Sequence, residues 1–233
     1  TDAEDIHHFP RGTNAGICLH EILEKFDFSL SAAEQAETVR ESLSRYGFEP
    51  RWQPAVHTML DRCRLAPLTA AYALADIPPQ NRLPEMGFTL YLEDFGLERL
   101  RAWFARPNSG LPPECAEAAR MLDFKDVQGF LSGFIDMVYQ DSDGLVCIID
   151  YKSNHLGNNA EAYTPQAMNE AMAHHHYYLQ ALIYAVAVAR YYTLRRRLLP
   201  RIAVRYLFLR GLDGGENGVW SWNIDTADLT EWL

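Results

Sequence analysis

The sequence predicts an α/β fold, with a mixed central β-sheet flanked by helices and a helical annex at the N-terminus. Apolar residues recur at helical spacing through most of positions 11–80. After position 81, short runs of β-branched and aromatic residues alternate with helical segments. Two of these runs, joined by a turn, are apolar on both faces, which is typical of strands that are covered on both sides.

The composition is that of a globular protein with a substantial core. The chain has 233 residues, of which 48% are hydrophobic and 12% aromatic. This length suits one large domain, or one domain with an annex. We expect a linker remnant at residues 1–10 and a single domain at 11–233, divided into the annex (11–80) and an α/β core (81–233). Because the chain begins at Thr1 and ends at Trp232-Leu233, we expect a piece of a longer protein.

The cysteines and the hydropathy pattern exclude several classes. The spacing contains no C-x-x-C pair, so it favours neither a zinc site nor a disulfide framework, and reduced thiols in a cytoplasmic protein fit best. No apolar run reaches the ~18 residues of a membrane-spanning helix, and no leader opens the chain. We therefore expect no membrane association. The cysteines are Cys18, Cys63, Cys115 and Cys147.

Three amphipathic helices are predicted in the annex. The first follows Gly12, the second spans Ser31 to Tyr46 with a capping pair at its start, and the third spans Trp52 to Leu65. His20 lies beside the apolar stripe of the first helix, where a histidine taken alone is more often a surface residue than a ligand. The stripe consists of Ala15, Leu19, Ile22, Leu23 and Phe26.

In the core, strands and helices are predicted to alternate. Thr164-Pro165 supplies an N-cap residue and a first-turn proline for a long helix that ends near Tyr192. The other elements are a strand at 85–92, a helix at 97–105, a helical turn at 114–121, a hairpin at 134–149, strands at 202–209 and 218–224, and a helical end at 228–232.

The turn residues of the hairpin predict the register of its two strands. Its strands, 134–139 and 145–149, enclose the turn-forming Asp141–Gly144. If the loop has three residues with Gly144 in the left-handed conformation, Asp141 pairs with Leu145. The pairing along the rest of the two strands follows from that first pair.

This register places two acids and a lysine on one face of the sheet. Asp136 lies opposite Asp150, and Lys152 projects to the same side, whereas Tyr151 projects to the other. Opposed like charges destabilise a sheet by up to ~1 kcal/mol, so a positive group must lie between them. A divalent cation such as Mg²⁺ or Mn²⁺ meets this need with oxygen ligands. Alternatively, each aspartate pairs with an arginine or caps a turn.

Lys152 favours the catalytic interpretation. The chain has three lysines against eighteen arginines, yet a lysine stands two residues after Asp150. A compact ammonium can orient a water molecule and neutralise a developing oxyanion, whereas a planar guanidinium forks across two oxygens.

Other candidates are weaker when taken one at a time. Glu85 at the start of the first strand is either a further acidic residue of the site or simply solvent-facing. Tyr177, Gln180 and Tyr184 share one helix face, where a tyrosine stripe is usually core but Gln180 makes backbone or phosphate contacts plausible. The consecutive histidines 174–176 point in different directions along a helix, so they cannot all bind one ion.

The charge is unevenly distributed. A formal net charge of −10 disfavours nucleic acid at first sight. However, residues 171–210 contain no acid and seven arginines, which indicates either a phosphate-facing surface or a solvated helix end. The arginines are Arg190, Arg195, Arg196, Arg197, Arg201, Arg205 and Arg210.

Four motifs in order resemble the PD-(D/E)xK nuclease superfamily and, within it, the C-terminal nuclease domains of the RecB family, the β subunits of bacterial exonuclease V. The resemblance extends from about Phe9 to beyond Arg210 and implies a restriction-endonuclease-like core. The motifs are GTNAGICLH with His20, GFIDMVY with Asp136, IIDYKSN with Asp150 and Lys152, and YYLQALIY with Gln180 and Tyr184.

The resemblance implies a metal-dependent DNA phosphodiesterase. His20, Asp136 and Asp150 would hold the ion with the backbone carbonyl of Tyr151, and Lys152 would be the catalytic lysine. The ion would be Mg²⁺ or Mn²⁺, with Ca²⁺ binding but supporting little turnover. The first helix would then have to fold back over the hairpin to bring its histidine to the carboxylates.

The resemblance also implies partners. Gln180 and Tyr184 fall on a Q-x-x-x-Y motif that contacts DNA, which would be mainly single-stranded. The full protein would carry a helicase domain, join RecC-like and RecD-like subunits, and process double-strand breaks for recombinational repair in the bacterial cytoplasm. Some related nucleases hold an iron–sulfur cluster with four cysteines, but the scattered cysteines here do not match that arrangement. The alternatives are a non-catalytic DNA-binding or assembly module with the nuclease fold, and a small-molecule phosphoesterase.

Overall fold

The computed structural model of the protein describes residues 5–107, 109–125 and 128–233. Eight α-helices and five strands lie within these ranges, joined in several places by short 3-10 helices. The helices are α1 (Thr13–Lys25), α2 (Ala36–Arg45), α3 (Gln53–Leu65), α4 (Leu97–Phe104), α5 (Pro113–Arg120), α6 (Pro165–His174), α7 (Tyr177–Leu194) and α8 (Thr226–Leu229). The strands are β1 (Arg82–Tyr91), β2 (Phe130–Gln140), β3 (Val146–Lys152), β4 (Ile202–Phe208) and β5 (Val219–Ile224).

The five strands form one mixed sheet in the order β1-β2-β3-β4-β5. β2 and β3 are antiparallel. β3 and β4 are parallel, because Val146 donates to the Arg201 carbonyl where both strands begin, and Leu209 donates to the Lys152 carbonyl where both end. A parallel pair needs a crossover connection, which α6 and α7 supply. The predicted α/β class, with a mixed sheet and flanking helices, is confirmed.

The chain divides into two compact units. In the first unit, α1 packs against α2, and α2 against α3. The predicted capping pair is present before α2, since the Ser31 N–H and hydroxyl donate to the Glu34 carboxylate at 2.9 and 2.8 Å. A 3-10 turn, Ala33–Gln35, precedes the helix proper. The first unit comprises Thr1–Arg82, Asp150–Met168 and Tyr206–Trp220, and the second Leu83–Ile149, Asn169–Arg205 and Ser221–Leu233.

We predicted a linker remnant at residues 1–10, but residues 5–10 are folded against the rest of the first unit. Residues 1–4 lie outside the described residues, but Ile6 and Phe9 are buried. Arg210 is only 1% exposed. It donates to the carbonyls of Ile6 at 2.7 Å, Phe9 at 2.8 Å and Pro10 at 2.7 Å, and to that of Ser153 at 3.0 Å. One guanidinium thus joins the N-terminal segment to the residue that follows β3. The division into annex and core stays a prediction.

The second unit has an aromatic core. Trp103 meets Phe104 edge-on, with ring centroids 5.2 Å apart, and lies 6.0 Å from Trp222. Both of these indoles have a backbone acceptor. Trp103 donates to the Asp228 carbonyl at 3.0 Å, and Trp222 donates to the Ser109 carbonyl at 2.9 Å. These bonds let large amphipathic rings be buried without leaving their N–H groups unsatisfied.

The long helix predicted from Pro165 to about Tyr192 is in fact two helices. α6 ends at His174 and α7 begins at Tyr177, and His176 between them has a left-handed φ of 54°. A residue with a Cβ adopts this conformation at a cost of about 1–2 kcal/mol. A 3.0 Å hydrogen bond between His176 Nδ1 and the Tyr178 hydroxyl stabilises the break. The consecutive histidines therefore mark a change of helix direction.

The four cysteines are buried and free, which agrees with the prediction of no disulfide framework. In the part of the chain that the structure describes, every helix is too short or too polar to cross a membrane.

We predict that Arg210→Leu lowers the free energy of unfolding by about 3 kcal/mol or more, because it removes several charge-assisted hydrogen bonds and leaves buried carbonyls without a donor. Urea denaturation followed by tryptophan fluorescence measures this change. The exposed Arg201 is the matched control, and Arg201→Leu should shift the unfolding free energy by less than about 0.5 kcal/mol. Equal losses in the two variants would contradict the anchoring role of Arg210.

Candidate active site

The hairpin of β2 and β3 has the predicted register. Met137 pairs with Ile149, and the pairing continues in steps to Gln140 with Val146. Asp141 donates to the Leu145 carbonyl at 3.0 Å, and Gly144 is left-handed with φ 79°. Asp136 precedes Met137 on β2, and Asp150 follows Ile149 on β3. The pairing of these two aspartates stays a prediction.

Asp150 and Lys152 form a buried ion pair at the end of β3. Lys152 Nζ lies 2.7 Å from Asp150 Oδ2, and the two side chains are 11% and 3% exposed. The ammonium also lies 5.1 Å from the centroid of the Tyr206 ring, where the electron-rich face adds attraction. The two side chains therefore share one face of β3, as strand alternation predicted, and Tyr151 is buried on the opposite side.

The first helix approaches the end of β3. The His20 ring meets the Tyr151 ring edge-on, with centroids 6.1 Å apart, and His20 is half-buried. One turn earlier on the same face, Gly16 comes so near the chain that a Cβ there would lie 3.2 Å from Ser153 Oγ. The first helix thus packs against the end of β3, and the imidazole lies beside the Tyr151 ring. Its role as a metal ligand stays a prediction.

Glu21, next to His20, fastens this helix to α2. Its carboxylate accepts hydrogen bonds from Lys25 at 2.5 Å and from the Tyr46 hydroxyl at 2.6 Å, and it pairs with Arg45. The hydrogen bonds from Lys25 and Tyr46 hold the pKa of Glu21 below its usual value. Such bonds restrict the rotation of α1 about its axis, which fixes the direction in which the neighbouring imidazole points.

The backbone of β3 limits where the Tyr151 carbonyl points. Successive carbonyls along a strand point to opposite edges. Since the Lys152 carbonyl accepts from Leu209 on the β4 side, the Tyr151 carbonyl is directed away from β4. The role of that carbonyl as a metal ligand stays a prediction.

The loop after β3 begins with polar residues whose contacts are defined. His155 Nε2 lies 2.8 Å from a guanidinium nitrogen of Arg11, so this nitrogen accepts. Burial and the Arg11 charge lower the pKa of His155. This shift favours the neutral form of the ring.

Asp136 lies in the second unit, half-buried on β2 between the buried Ile135 and Met137. The neighbouring β1 is antiparallel, with the Thr89 and Ser132 hydroxyls hydrogen-bonded at 2.9 Å. Because the strands run in opposite directions, four residues before Thr89 on β1 and four residues after Ser132 on β2 are level with each other. This register therefore brings Glu85 level with Asp136. Glu85 is exposed and has a left-handed φ of 49°. Its role as a further acidic residue of the site stays a prediction.

The Q-x-x-x-Y pair is in contact on α7. Gln180 Nε2 donates to the Tyr184 hydroxyl at 2.8 Å, which confirms that the two share a face. Tyr184 is buried and meets the Phe88 ring edge-on at 5.7 Å. Tyr177 stacks on His175, with centroids 5.1 Å apart. Tyr184 is therefore placed to orient Gln180, and DNA contact by the three residues stays a prediction.

Only part of the arginine-rich segment is surface. Arg205 and Arg210 are buried and donate to acceptors within the protein, so they cannot face phosphates. Those that are exposed are Arg195, Arg196, Arg197 and Arg201. The segment was interpreted as a phosphate-facing surface or as a solvated helix end, and neither interpretation accounts for the two buried arginines.

The donor chemistry of the predicted metal ligands fits a hard divalent ion. Among the described residues, no group of three or more His, Cys, Asp or Glu side chains is arranged to hold a metal ion. Asp150 is nevertheless a buried carboxylate that needs a cation beside it, and that cation is the Lys152 ammonium. Carboxylate, imidazole and backbone carbonyl are ligands that Mg²⁺ and Mn²⁺ accept.

Comparison with known proteins identifies the family. The model of the PD-(D/E)XK nuclease superfamily matches residues 4–221. The chain belongs to this superfamily.

Curated relatives of this PD-(D/E)XK chain are bacterial RecB subunits. It is 37% identical over 218 residues to RecBCD enzyme subunit RecB of Escherichia coli (strain K12), covering 89% of this chain and 17% of the relative. It is 32% identical over 221 residues to that of Haemophilus influenzae, covering 90% and 17%. The RecB subunit of Mycobacterium tuberculosis (strain H37Rv) is 30% identical over 252 residues, covering 94% and 23%. The chain therefore spans about a fifth of the length of these relatives.

Several residues that shape the site were missed by the sequence reasoning. Glu21 and Tyr206 carry no motif, and their partners are distant in sequence. The signal for Glu21 was present in part, because Lys25 follows it by four residues on a helix and forms the expected pair.

We predict that Lys152→Met lowers the free energy of unfolding at neutral pH by about 3 kcal/mol, because it leaves a buried carboxylate without its cation. Adding Asp150→Asn to that variant should restore part of the loss, since the buried charge is then gone. Urea denaturation of the wild type, both single variants and the double variant gives the coupling energy. Strictly additive single effects would show that the pair is not energetically linked.

A second prediction concerns Glu21 and pH. Its folded pKa is lowered, so its contribution to stability is fully present above the unfolded pKa of about 4.3 and is lost as pH falls through the folded value. Glu21→Gln should therefore be less stable than the wild type at pH 7, and the gap should narrow as pH falls below about 4.3 and close below the folded pKa. Thermal unfolding across pH 3–8 measures it. A gap that stays constant to pH 3 would be the contrary result.

Proposed function

We propose that this protein hydrolyses DNA phosphodiester bonds with a divalent metal ion, as the nuclease part of a helicase–nuclease of the exonuclease V type. The observation that carries the proposal is the buried Asp150–Lys152 pair, at 2.7 Å, in a chain of the PD-(D/E)XK superfamily. A buried ion pair is costly to maintain because both charges are desolvated, so a chemical use explains it better than packing does.

The proposed ligands are His20, Asp136, Asp150 and the carbonyl of Tyr151. The bound ion, Mg²⁺ or Mn²⁺, would polarise the scissile phosphate and lower the pKa of a bound water molecule. Asp136 and Asp150 supply the negative charge that selects a cation, and the imidazole adds a neutral donor. α1, fastened through Glu21, holds that imidazole in place.

Lys152 is the proposed catalytic lysine. Its ammonium is held from one side by Asp150 and lies over the Tyr206 ring. From this position it donates hydrogen bonds to an attacking water and offsets negative charge that grows on the phosphate oxygens. Because the site is largely shielded from water, each such interaction is stronger than it would be in solvent.

DNA contact is proposed for two regions. Gln180, oriented by Tyr184, would reach the DNA with Tyr177 on the same helix. The exposed arginines, Arg195, Arg196, Arg197 and Arg201, would contact phosphates, which gives binding without sequence preference.

The setting is inferred from the relatives. Since those proteins are named RecBCD enzyme subunits and are about five times longer, we infer a full protein with a helicase domain and RecC-like and RecD-like partners. Its work would be double-strand-break processing and recombinational repair in the bacterial cytoplasm, mainly on single-stranded DNA. No iron–sulfur cluster enters this proposal.

The test is magnesium-dependent degradation of single-stranded DNA. We expect Asp150→Ala and Lys152→Gln to lower the rate about a hundredfold or more, because each removes a charge at the reacting phosphate. Release of labelled nucleotides measures the rate. The controls are Asp143→Asn, an exposed acid at the turn of the same hairpin, and Lys125→Gln, an exposed lysine, and both should keep wild-type activity.

Other outcomes decide between the alternatives. Activity that survives both active-site changes would remove the proposed mechanism. Tight DNA binding with no cleavage under any metal ion would identify a non-catalytic DNA-binding or assembly module that retains the nuclease fold. Ca²⁺ should bind and support little turnover, and brisk cleavage with Ca²⁺ would contradict the proposed lysine and water arrangement.

A further inference from the structure

One face of β1 and β2 exposes aromatic rings to solvent. Side chains alternate along β2, so that Ile135 and Met137 are buried while Phe130 and Phe134 are 73% and 62% exposed. On β1, Tyr91 is 38% exposed on the same side. We call Phe130, Phe134 and Tyr91 the aromatic face.

The rings of the aromatic face are held by their neighbours. Phe134 lies across the adjacent strand at Gly87, where a Cβ would meet its Cε1 atom at 3.4 Å. Phe130 contacts Tyr91, with ring centroids 5.4 Å apart and planes tilted by 53°. Despite these contacts the rings remain partly exposed to solvent. Preordered rings lose little conformational freedom when they bind a ligand.

The strand segments that carry the rings are uncharged. Positions 87–91 and 130–134 contain no Asp, Glu, Lys or Arg. The hydroxyls of Thr89 and Ser132, between the rings, bond to each other at 2.9 Å. A neutral strip of separated rings suits flat, weakly polar groups rather than phosphates.

The aromatic face leads to Asp136. Residues two apart on a strand project to the same side, so Phe134 and Asp136 share one face, about 7 Å apart along β2. Phe130 is a further ~13 Å away along the same line. Any ligand stacked on Phe134 is therefore a neighbour of that carboxylate.

We propose that the aromatic face is a base-stacking platform for single-stranded DNA, which leads the strand to Asp136. This inference rests on the proposed function and adds a substrate-positioning surface to it. Exposed rings in sequence along a surface bind successive unpaired bases without sequence preference. Bases in a duplex are already stacked on each other, so the platform selects single strands. At positions 87–91 and 130–134 the exposed large apolar side chains are all aromatic, which favours bases over an aliphatic protein surface.

Equilibrium binding without cleavage tests the platform. Fluorescence anisotropy in EDTA compares an oligothymidylate with an abasic oligonucleotide of equal length, for wild type, Phe134→Leu and Phe134→Trp. We expect Phe134→Leu to weaken thymidylate binding at least about fivefold, because one base loses its stacking partner. Binding of the abasic strand should stay within about twofold for all variants, and Phe134→Trp should bind thymidylate as the wild type does. Met121→Ala, at a side chain that is 73% exposed, is the control for loss of surface apolar area.

Three results would overturn the platform. They are unchanged thymidylate binding by Phe134→Leu, an equal loss for both strands, or the same loss in Met121→Ala. Equal loss would indicate a general change in the surface, and an unchanged affinity would leave the face to a protein partner. If the wild type shows no metal-dependent cleavage yet Phe134→Leu loses thymidylate binding, the nuclease proposal fails and the platform stands. If the wild type cleaves DNA and Phe134→Leu binds thymidylate unchanged, the platform fails and the nuclease proposal stands.

Discussion

The buried ion pair of Asp150 and Lys152 is the interaction on which the rest of the arrangement depends. Asp150 is almost fully removed from water, and Lys152, two residues later, pairs with it at 2.7 Å. The two side chains share a face only if the chain between them is extended. β3 is kept extended by β2 on one edge and by β4 on the other. The hairpin, the crossover helices and the parallel strand can therefore be understood as the support of one ion pair.

What the sequence predicts well is local. The hairpin register was correct because a short loop with a left-handed glycine allows few alternatives. The Ser31–Glu34 pair and the bounds of most helices followed from neighbouring residues in the same way. The superfamily assignment was also correct, because its motifs keep their order along the chain.

What the sequence did not predict involves distant partners or backbone strain. Residues 5–10 look polar in part, but Arg210, 200 positions later, donates hydrogen bonds to their backbone carbonyls. The same burial removes Arg210 and Arg205 from the basic surface that their composition indicated. His176 interrupts a helix whose apolar pattern continues without a break, since periodicity records which side is buried and not the φ of one residue. The position of His20 came from the family resemblance, because its own neighbours indicate an ordinary surface helix.

Gly16 shows how closely one helix is allowed to approach a strand end. A glycine inside a helix weakens it by roughly 0.5–1 kcal/mol relative to alanine, and α1 tolerates this loss at the point nearest Ser153. Any larger residue would need to displace the helix or the serine by a few tenths of an ångström. Because a helix moves as a rigid rod, such a displacement would be passed to the imidazole one turn later. The absence of a side chain at this position thus sets how far the histidine can reach.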